Sequence, residues 1–197
     1  MGLWGATDAD EAKPKYLTTV EKRDVYGDSG GWKLAPGTAK SGNDNTGAQA
    51  ETLVAIRGLG TTAAKLNIAD ISSMNWNITT FDKSAGGTLS VTVNYNEQVT
   101  VTGTPQLAVT NGNQGSGSGR GPHTLSYASG SNSNRLTFTL AIGAANAATN
   151  ADDVLVIGAN AVSLNSGTIK EKGTNVNATI TSAAGIGTAA GSITVVA

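Results

Sequence analysis

Residues 91–143 read "VTVNYNEQVTVTGTPQLAVTNGNQGSGSGRGPHTLSYASGSNSNRLTFTLAIG", and this stretch decides the fold class. Apolar and polar residues alternate along its first part, for example at Leu107 and Val109, and alternate again at Leu136 and Phe138. Alternation with a period of two predicts half-buried antiparallel strands, with one face on a core and the other in water. A run of glycine and serine separates the two alternating parts and predicts a hairpin loop between strands.

The same alternation continues on both sides of this stretch, from about residue 86 to residue 182. Roughly seven short strands, with turns every ten or so residues, are typical of a sandwich. We therefore predict an all-β protein whose main domain, residues 86–182, is an immunoglobulin-like antiparallel β-sandwich. The chain has no cysteine, so aliphatic residues together with Tyr95 and Phe138 must fill the core without a disulfide.

The first 50 residues have a different character. Charged and turn-forming residues dominate residues 1–50, and no sustained apolar period is present. Such a segment buries too little apolar surface to fold alone, so it is either a disordered tail or an arm that orders against a partner. Its large aromatic residues favour the extended, mostly irregular arm. We expect short strands and a linker over residues 51–85, which could join the sandwich, and a C-terminal strand or tail over residues 183–197.

The aromatic residues of the arm are the candidate interface residues. They are Trp4, Tyr16, Tyr26 and Trp32. Aromatic side chains are over-represented at the energetic centres of protein interfaces. The alternative is that they pack against residues 52–80 of the same chain, and the sequence leaves both interpretations open.

The balance of charge excludes some classes of partner. The chain has 13 basic and 14 acidic residues, so nothing favours binding to a nucleic acid or to an anionic membrane. No stretch approaches the roughly 20 apolar residues of a membrane span. The first residues lack the apolar segment of a signal peptide, and we therefore expect assembly in the cytoplasm rather than export.

The residues able to carry out chemistry are few. His123 is the one histidine, and its flanking sequence supplies neither a nucleophile nor an orienting carboxylate, so a loop or strand-start histidine is favoured. Asp152 and Asp153 could contribute to a calcium site, but no calcium-loop spacing surrounds them and a solvated turn is favoured. We expect no catalytic residues, no metal and no cofactor, and we expect that the protein is not an enzyme.

The glycine-rich segment "NGNQGSGSGRGPH", residues 111–123, does not match a phosphate-binding loop. It lacks the Gly-Lys-Ser/Thr ending and does not lead into a helix. A flexible hairpin loop is favoured over a ligand site. Arg120 is its one charged residue, so any contact made by the loop is expected to run through that guanidinium group.

The segments "VTVNYNE", "GTPQL" and "SGSNSNRLTFT" carry a family resemblance. With their flanking residues they make residues 86–182 resemble the bacterial immunoglobulin-like repeats of large surface and adhesin-like proteins. The resemblance covers about half of the chain. It implies a fold and implies no activity.

The front of the chain carries a second resemblance. "WGATDADEAKPKYLTTVEKRDVYGDSGGW" and the segment "ETLVAIRGLGTTAAKLNIADISSMNWNITTFDKSAGGTLSVTVNYNE" are similar to small virion structural proteins of tailed phages that infect marine bacteria, notably cyanophages. The similarity covers roughly residues 1–110. It implies a capsid decoration protein on the virion surface, assembled in the host cytoplasm, with the major capsid protein and neighbouring copies of itself as partners.

Two other functions remain open at this stage. One is a neck, tail or fibre-associated virion protein that binds host-surface glycans with the same β-domain. The other is a bacterial surface module, which the single repeat and the absence of an export signal disfavour. None of the three interpretations involves a nucleic acid or a membrane as a partner.

Overall fold

The computed structural model describes residues 14, 16–28, 30–55, 68–112 and 122–197. Within these ranges the chain forms a sheet of twelve strands, one short α-helix and two short 3-10 helices. The prediction of an all-β fold is therefore confirmed at the level of fold class. The finer assignment to the immunoglobulin-like sandwiches stays a prediction.

Strands occur in every longer stretch of the chain that the structure describes. The N-terminal strands are β1 (Val25–Asp28), β2 (Gly31–Leu34) and β3 (Glu51–Ala55); the later ones are β4 (Ile71–Trp76), β5 (Phe81–Asp82), β6 (Gly87–Thr102), β7 (Gln106–Gly112), β8 (His123–Ser129), β9 (Ser133–Ile142), β10 (Val154–Ser163), β11 (Thr168–Glu171) and β12 (Ser192–Val196). The helix α1 (Ala184–Thr188) precedes the last strand, and the 3-10 helices are Glu21–Asp24 and Ala39–Ser41.

Strand β6 is the centre of the sheet. The strand order is β3-β2-β1-β6-β9-β8-β7-β10-β12-β5, and β4 and β11 also pair with β6. The first half of β6 pairs with β9 on one side and β4 on the other, whereas residues 99–102 pair with β11. The register between β6 and β9 shifts between Asn94 and Val99. At the same place the other neighbour of β6 changes from β4 to β11.

The alternating residues recognised in the sequence form the core. Leu89, Val91, Val93 and Tyr95 of β6 are completely buried, as the period of two requires. The same core also contains residues outside the range 86–182: Ile71, Met74, Phe81, Ile193 and Val195. The structure therefore differs from the predicted domain boundary, because β4, β5 and β12 supply side chains to the core that β6 to β11 also line.

The described part of the N-terminal segment, from residue 16 onward, is folded, which differs from the predicted irregular arm. Strands β1, β2 and β3 pair antiparallel and enclose a small second core of Leu17, Val25, Trp32 and Leu34. We call the described residues 16–28 and 30–55 the N-terminal unit. A few apolar residues are enough to form this core, because the three strands and the preceding turn direct their apolar side chains to the same side. Each side chain is therefore covered by residues distant in the sequence as well as by its sequence neighbours.

Few contacts connect the N-terminal unit to the rest of the sheet, which we call the β body (described residues 68–112 and 122–197). Gly27 of β1 pairs with Glu97 of β6 in parallel orientation. The side-chain amide of Asn134 donates a hydrogen bond to the Arg23 carbonyl oxygen over 3.2 Å, and Arg135 forms an ion pair with Asp24. None of the described helices has the length and apolar character needed to cross a membrane.

Candidate functional site

The structure separates the predicted interface aromatics. Tyr16 is 66% exposed, whereas Tyr26 is 6% and Trp32 only 1% exposed. Trp32 packs in the core of the N-terminal unit, and Leu53 and Val54 pack against that core. Of the two interpretations, a partner interface or packing within the same chain, the second therefore applies to Trp32. Trp4 and Arg120, the other two candidates, lie outside the described residues.

Tyr16 belongs to a short exposed apolar segment. Val20 is 64% exposed, while Leu17 between the two points into the core of the N-terminal unit. We call residues 16–20 the Tyr16–Val20 segment. The segment therefore combines an anchored residue, Leu17, with two large apolar side chains that are exposed to water.

Glu21 holds this segment in place. Its carboxylate accepts a hydrogen bond from the Thr18 backbone N–H over 2.8 Å and another from the Thr18 hydroxyl over 3.0 Å. Lys40 lies 2.9 Å from the other carboxylate oxygen. The backbone hydrogen bond from Thr18, followed by the contact with Lys40, lowers the pKa of Glu21 to about 2, because each contact stabilises the charged form.

Two adjoining clefts lie beside Arg135, the first between the N-terminal unit and the β body and the second on the β body alone. The first has a volume of about 350 Å³ and the second about 370 Å³, and Ser133 and Arg135 line both. The first cleft is also lined by Tyr26, Gln98 and Asn132. These residues offer amide, hydroxyl and guanidinium groups, which suit a polar ligand rich in hydroxyl groups.

The turn between β8 and β9 shapes both clefts. Gly130 has φ 109°, and a Cβ atom at this position would collide with the Arg135 carbonyl oxygen. Asn132 is left-handed with φ 67°, a conformation that asparagine tolerates better than most residues. The side chain of Arg135 is 40% exposed while it pairs with Asp24, so part of the guanidinium group remains accessible from the clefts.

A second polar site lies inside the β body. We call it the polar corner: Asn111 at the end of β7, His123 at the start of β8, and Thr149 and Asp153 before β10. Asp153 and Thr149 are completely buried and His123 is 4% exposed. The sequence favoured a solvated turn for both Asp152 and Asp153. Asp152 is exposed, as that prediction requires, but the prediction is wrong for Asp153.

Hydrogen bonds tie the polar corner together. The Asn111 side-chain amide donates to Asp153 Oδ2 over 2.9 Å and to the Ala148 carbonyl oxygen over 3.2 Å. The Asn150 backbone N–H donates to the same carboxylate oxygen over 2.8 Å. Burial lowers the pKa of His123, and the charge of Asp153 partly offsets this effect. Among the described residues, no three histidines, cysteines or acids are grouped so that they could hold a metal ion.

Sequence reasoning missed Asn111, although a signal was available. Asn111 is two residues after Val109 and four after Leu107 in β7, so it lies on the same, inward face of the strand. The alternation along β7 therefore predicts that its side chain points to the interior. The pairing with Asp153 was not readable, because 42 residues separate the two side chains.

No family model, curated protein or solved structure matches the chain. Both family resemblances therefore rest on the quoted residues. The candidate functional features of the chain are the Tyr16–Val20 segment, the clefts beside Arg135 and the buried polar corner.

Proposed function

We propose that the protein is a non-enzymatic virion structural protein, of the capsid decoration type, that attaches through its N-terminal unit and displays an immunoglobulin-like β body. The observation that carries this proposal is the exposed Tyr16–Val20 segment on a unit with its own core. The similarity of residues 1–110 to phage virion proteins supplies the class of partner: the major capsid protein and neighbouring copies of this chain.

The attachment surface is preorganised by the fold of the unit. Leu17 is anchored in the core and Glu21 fixes the backbone at Thr18, so Tyr16 and Val20 bind without first ordering the segment. Preorganisation lowers the entropic cost of association. Many copies on a symmetric shell contact neighbouring copies as well as the capsid, so that modest single contacts add up to firm attachment.

The edge strand β3 adds a second element to this surface. Within the described residues β3 pairs with β2 alone, which leaves the backbone groups of its outer edge available. An exposed strand edge can accept a strand from a neighbouring chain. Contact between copies through β3, with Tyr16 and Val20 against the capsid, is the arrangement we propose.

The test is binding to virion heads stripped of this protein. A chain with Tyr16→Ser and Val20→Ser should fold as the parent does but bind at least about thirtyfold more weakly, since loss of one central interface aromatic commonly costs 2 kcal/mol or more. Val176→Ser is the matched control, because Val176 is a 43% exposed apolar residue of the β body. Equal co-sedimentation of the double variant and the control would remove attachment from the Tyr16–Val20 segment.

The clefts favour glycan binding as a second candidate function, as expected for a tail- or fibre-associated protein. Gln98→Ala with Asn132→Gly should abolish retention on immobilised neutral or acidic oligosaccharides. Asn165→Gly is the matched control, because Asn165 is another left-handed asparagine and does not line the clefts. If the parent chain is not retained at millimolar glycan, this function is rejected.

A further inference from the structure

The polar corner contains buried polar atoms that have no hydrogen-bond partner. These atoms are Asn111 Oδ1, His123 Nε2 and Thr149 Oγ1. Most buried polar side-chain atoms in folded proteins are paired, so three such atoms in one corner require an explanation. The attachment and glycan functions proposed above use none of them.

The orientation of Asn111 is fixed by its neighbours. Its amide nitrogen donates to two oxygens, those of Ala148 and Asp153, so Oδ1 must be on the opposite side of the amide. The closed corner therefore satisfies both donors of Asn111 and leaves its acceptor unused. The Asn111 contacts connect β7 to the loop of residues 143–153 that leads into β10.

The imidazole of His123 fits this corner only in its neutral form. A neutral ring can leave Nε2 as an unprotonated acceptor, whereas a protonated ring has an N–H donor on both nitrogens. Nε2 is buried and has no hydrogen-bond partner in the closed corner, and neither has the unused Asn111 Oδ1. In this geometry the added N–H would therefore stay unpaired, and the added charge would have no hydration. Burial of an uncompensated charge is among the most costly events inside a protein.

The charged groups around the ring do not remove this cost. Asp153 is the described acid whose charge acts on His123, and its Oδ2 atom already accepts hydrogen bonds from Asn111 and Asn150. Among the described residues, the Lys83 ammonium group also lies near the corner, 3.2 Å from the Asn150 side-chain oxygen, and it is a cation. Burial therefore prevails over attraction to Asp153, and the pKa of His123 in the closed corner lies below its ordinary value.

We propose that the polar corner is a proton-sensitive contact, in which protonation of His123 at mildly acidic pH moves the last residues of β7 and the first residues of β8 away from the loop of residues 143–153. The opening is local because the corner is at the ends of its strands. The outermost residue pairs there are Val109 with His123 and Gly112 with Val154. Residues further inside, such as Leu107 and Leu125, can remain paired in the core.

The direction of the pH effect follows from linkage. In the open corner His123 is hydrated and titrates near its ordinary pKa of about 6.5, whereas in the closed corner it titrates lower. The closed state therefore loses stability as the pH falls below about 6.5. If the ring stays neutral in the closed corner, the population of the open state rises up to about thirtyfold between pH 8 and pH 5.

Amide hydrogen exchange followed by mass spectrometry measures this opening peptide by peptide. After correction for the intrinsic rate at each pH, exchange at residues 107–112, 123–126 and 146–153 should increase up to about thirtyfold between pH 8 and pH 5. Peptides from β6 and β9 should change much less. A flat response at the corner would overturn the proposal, and an equal increase throughout the β body would replace it with global acid unfolding.

Two further measurements link the response to His123. His123→Gln should abolish the pH dependence at the corner, while Glu51→Gln, which removes an exposed carboxylate of the N-terminal unit, should leave it intact. Retention of the response in His123→Gln would overturn the assignment. His123 is the single histidine, so its imidazole resonance in the untagged parent chain is unambiguous, and a native-state pKa at or above 6.5 would also overturn the proposal even if the variant did not fold.

Discussion

Glu21 shows how one exposed side chain can control an interaction surface. Its carboxylate contacts the Thr18 backbone, the Thr18 hydroxyl and Lys40 at once, and the side chain is still 26% exposed. The three contacts are lost together when the carboxylate is neutralised, because each favours the charged form. The orientation of Tyr16 and Val20 thus depends on the charge of a neighbouring residue that need not touch the partner.

We expect Glu21→Gln to destabilise the N-terminal unit at neutral pH and to have progressively less effect in acid. The pKa of Glu21 is about 2 in the folded chain, against an ordinary value of 4.5. The stabilisation is therefore complete above pH 4.5 and is lost as the pH falls towards 2. Urea unfolding of parent and variant chains at pH 7, 4 and 2.5 measures the difference, with Glu51→Gln on the exposed edge strand as control. A difference that is as large at pH 2.5 as at pH 7 would show that the carboxylate charge is not the cause.

At the scale of elements, the N-terminal unit is stabilised mainly by its own core. Trp32 is its largest buried side chain and its cluster includes no residue of the β body. The links to the β body include a short backbone pairing, an amide hydrogen bond and an ion pair. A unit linked in this way can unfold without the rest, since local openings follow contiguous packed units.

Trp32→Ala is expected to unfold the N-terminal unit selectively. Truncation of a buried tryptophan to alanine costs about 3–5 kcal/mol, which is as large as the stability that a three-stranded unit can have. Hydrogen exchange should lose protection in β1 to β3 and keep it in β6 and β9. Trp32→Phe is the matched control and should retain most of the protection. Loss of protection in β6 with Trp32→Ala would mean that the two parts fold as one.

The elements differ in how far the sequence could predict them. The long alternating strands from β6 to β10 were readable because each residue's burial follows from its own position along the strand. For Trp32 the sequence left a partner interface and packing within the chain both open. Its short strand offers few apolar neighbours, and its burial depends on β3, some 20 residues further along the chain. The polar corner was unreadable for a similar reason, since the buried carboxylate of Asp153 is hydrogen-bonded to Asn111, 42 residues away in the sequence.

At the scale of the whole molecule, we expect residues 68–197 to fold alone and residues 86–182 to fail. The shorter fragment lacks five buried core residues: Ile71, Met74, Phe81, Ile193 and Val195. Full burial of each such side chain is worth about 1.5–3 kcal/mol, so together they match the net stability of about 5–15 kcal/mol of a typical domain. Circular dichroism and thermal unfolding of the two fragments check this. A folded, cooperative 86–182 fragment would contradict the shared core.

The pairing of β5 with β12 has a consequence for how the protein is made. Phe81 pairs with Val195 and Asp82 pairs with Val196 in parallel register. These paired strands are far apart in the sequence, so β12 leaves the ribosome long after β5. Until residues 192–196 emerge, β10 has an uncovered edge and the core lacks two of its side chains. Closure over such sequence distances is slow compared with local pairing. The nascent chain therefore completes its fold only after most of it has been synthesised, and until then it exposes apolar strands on which chaperones can act.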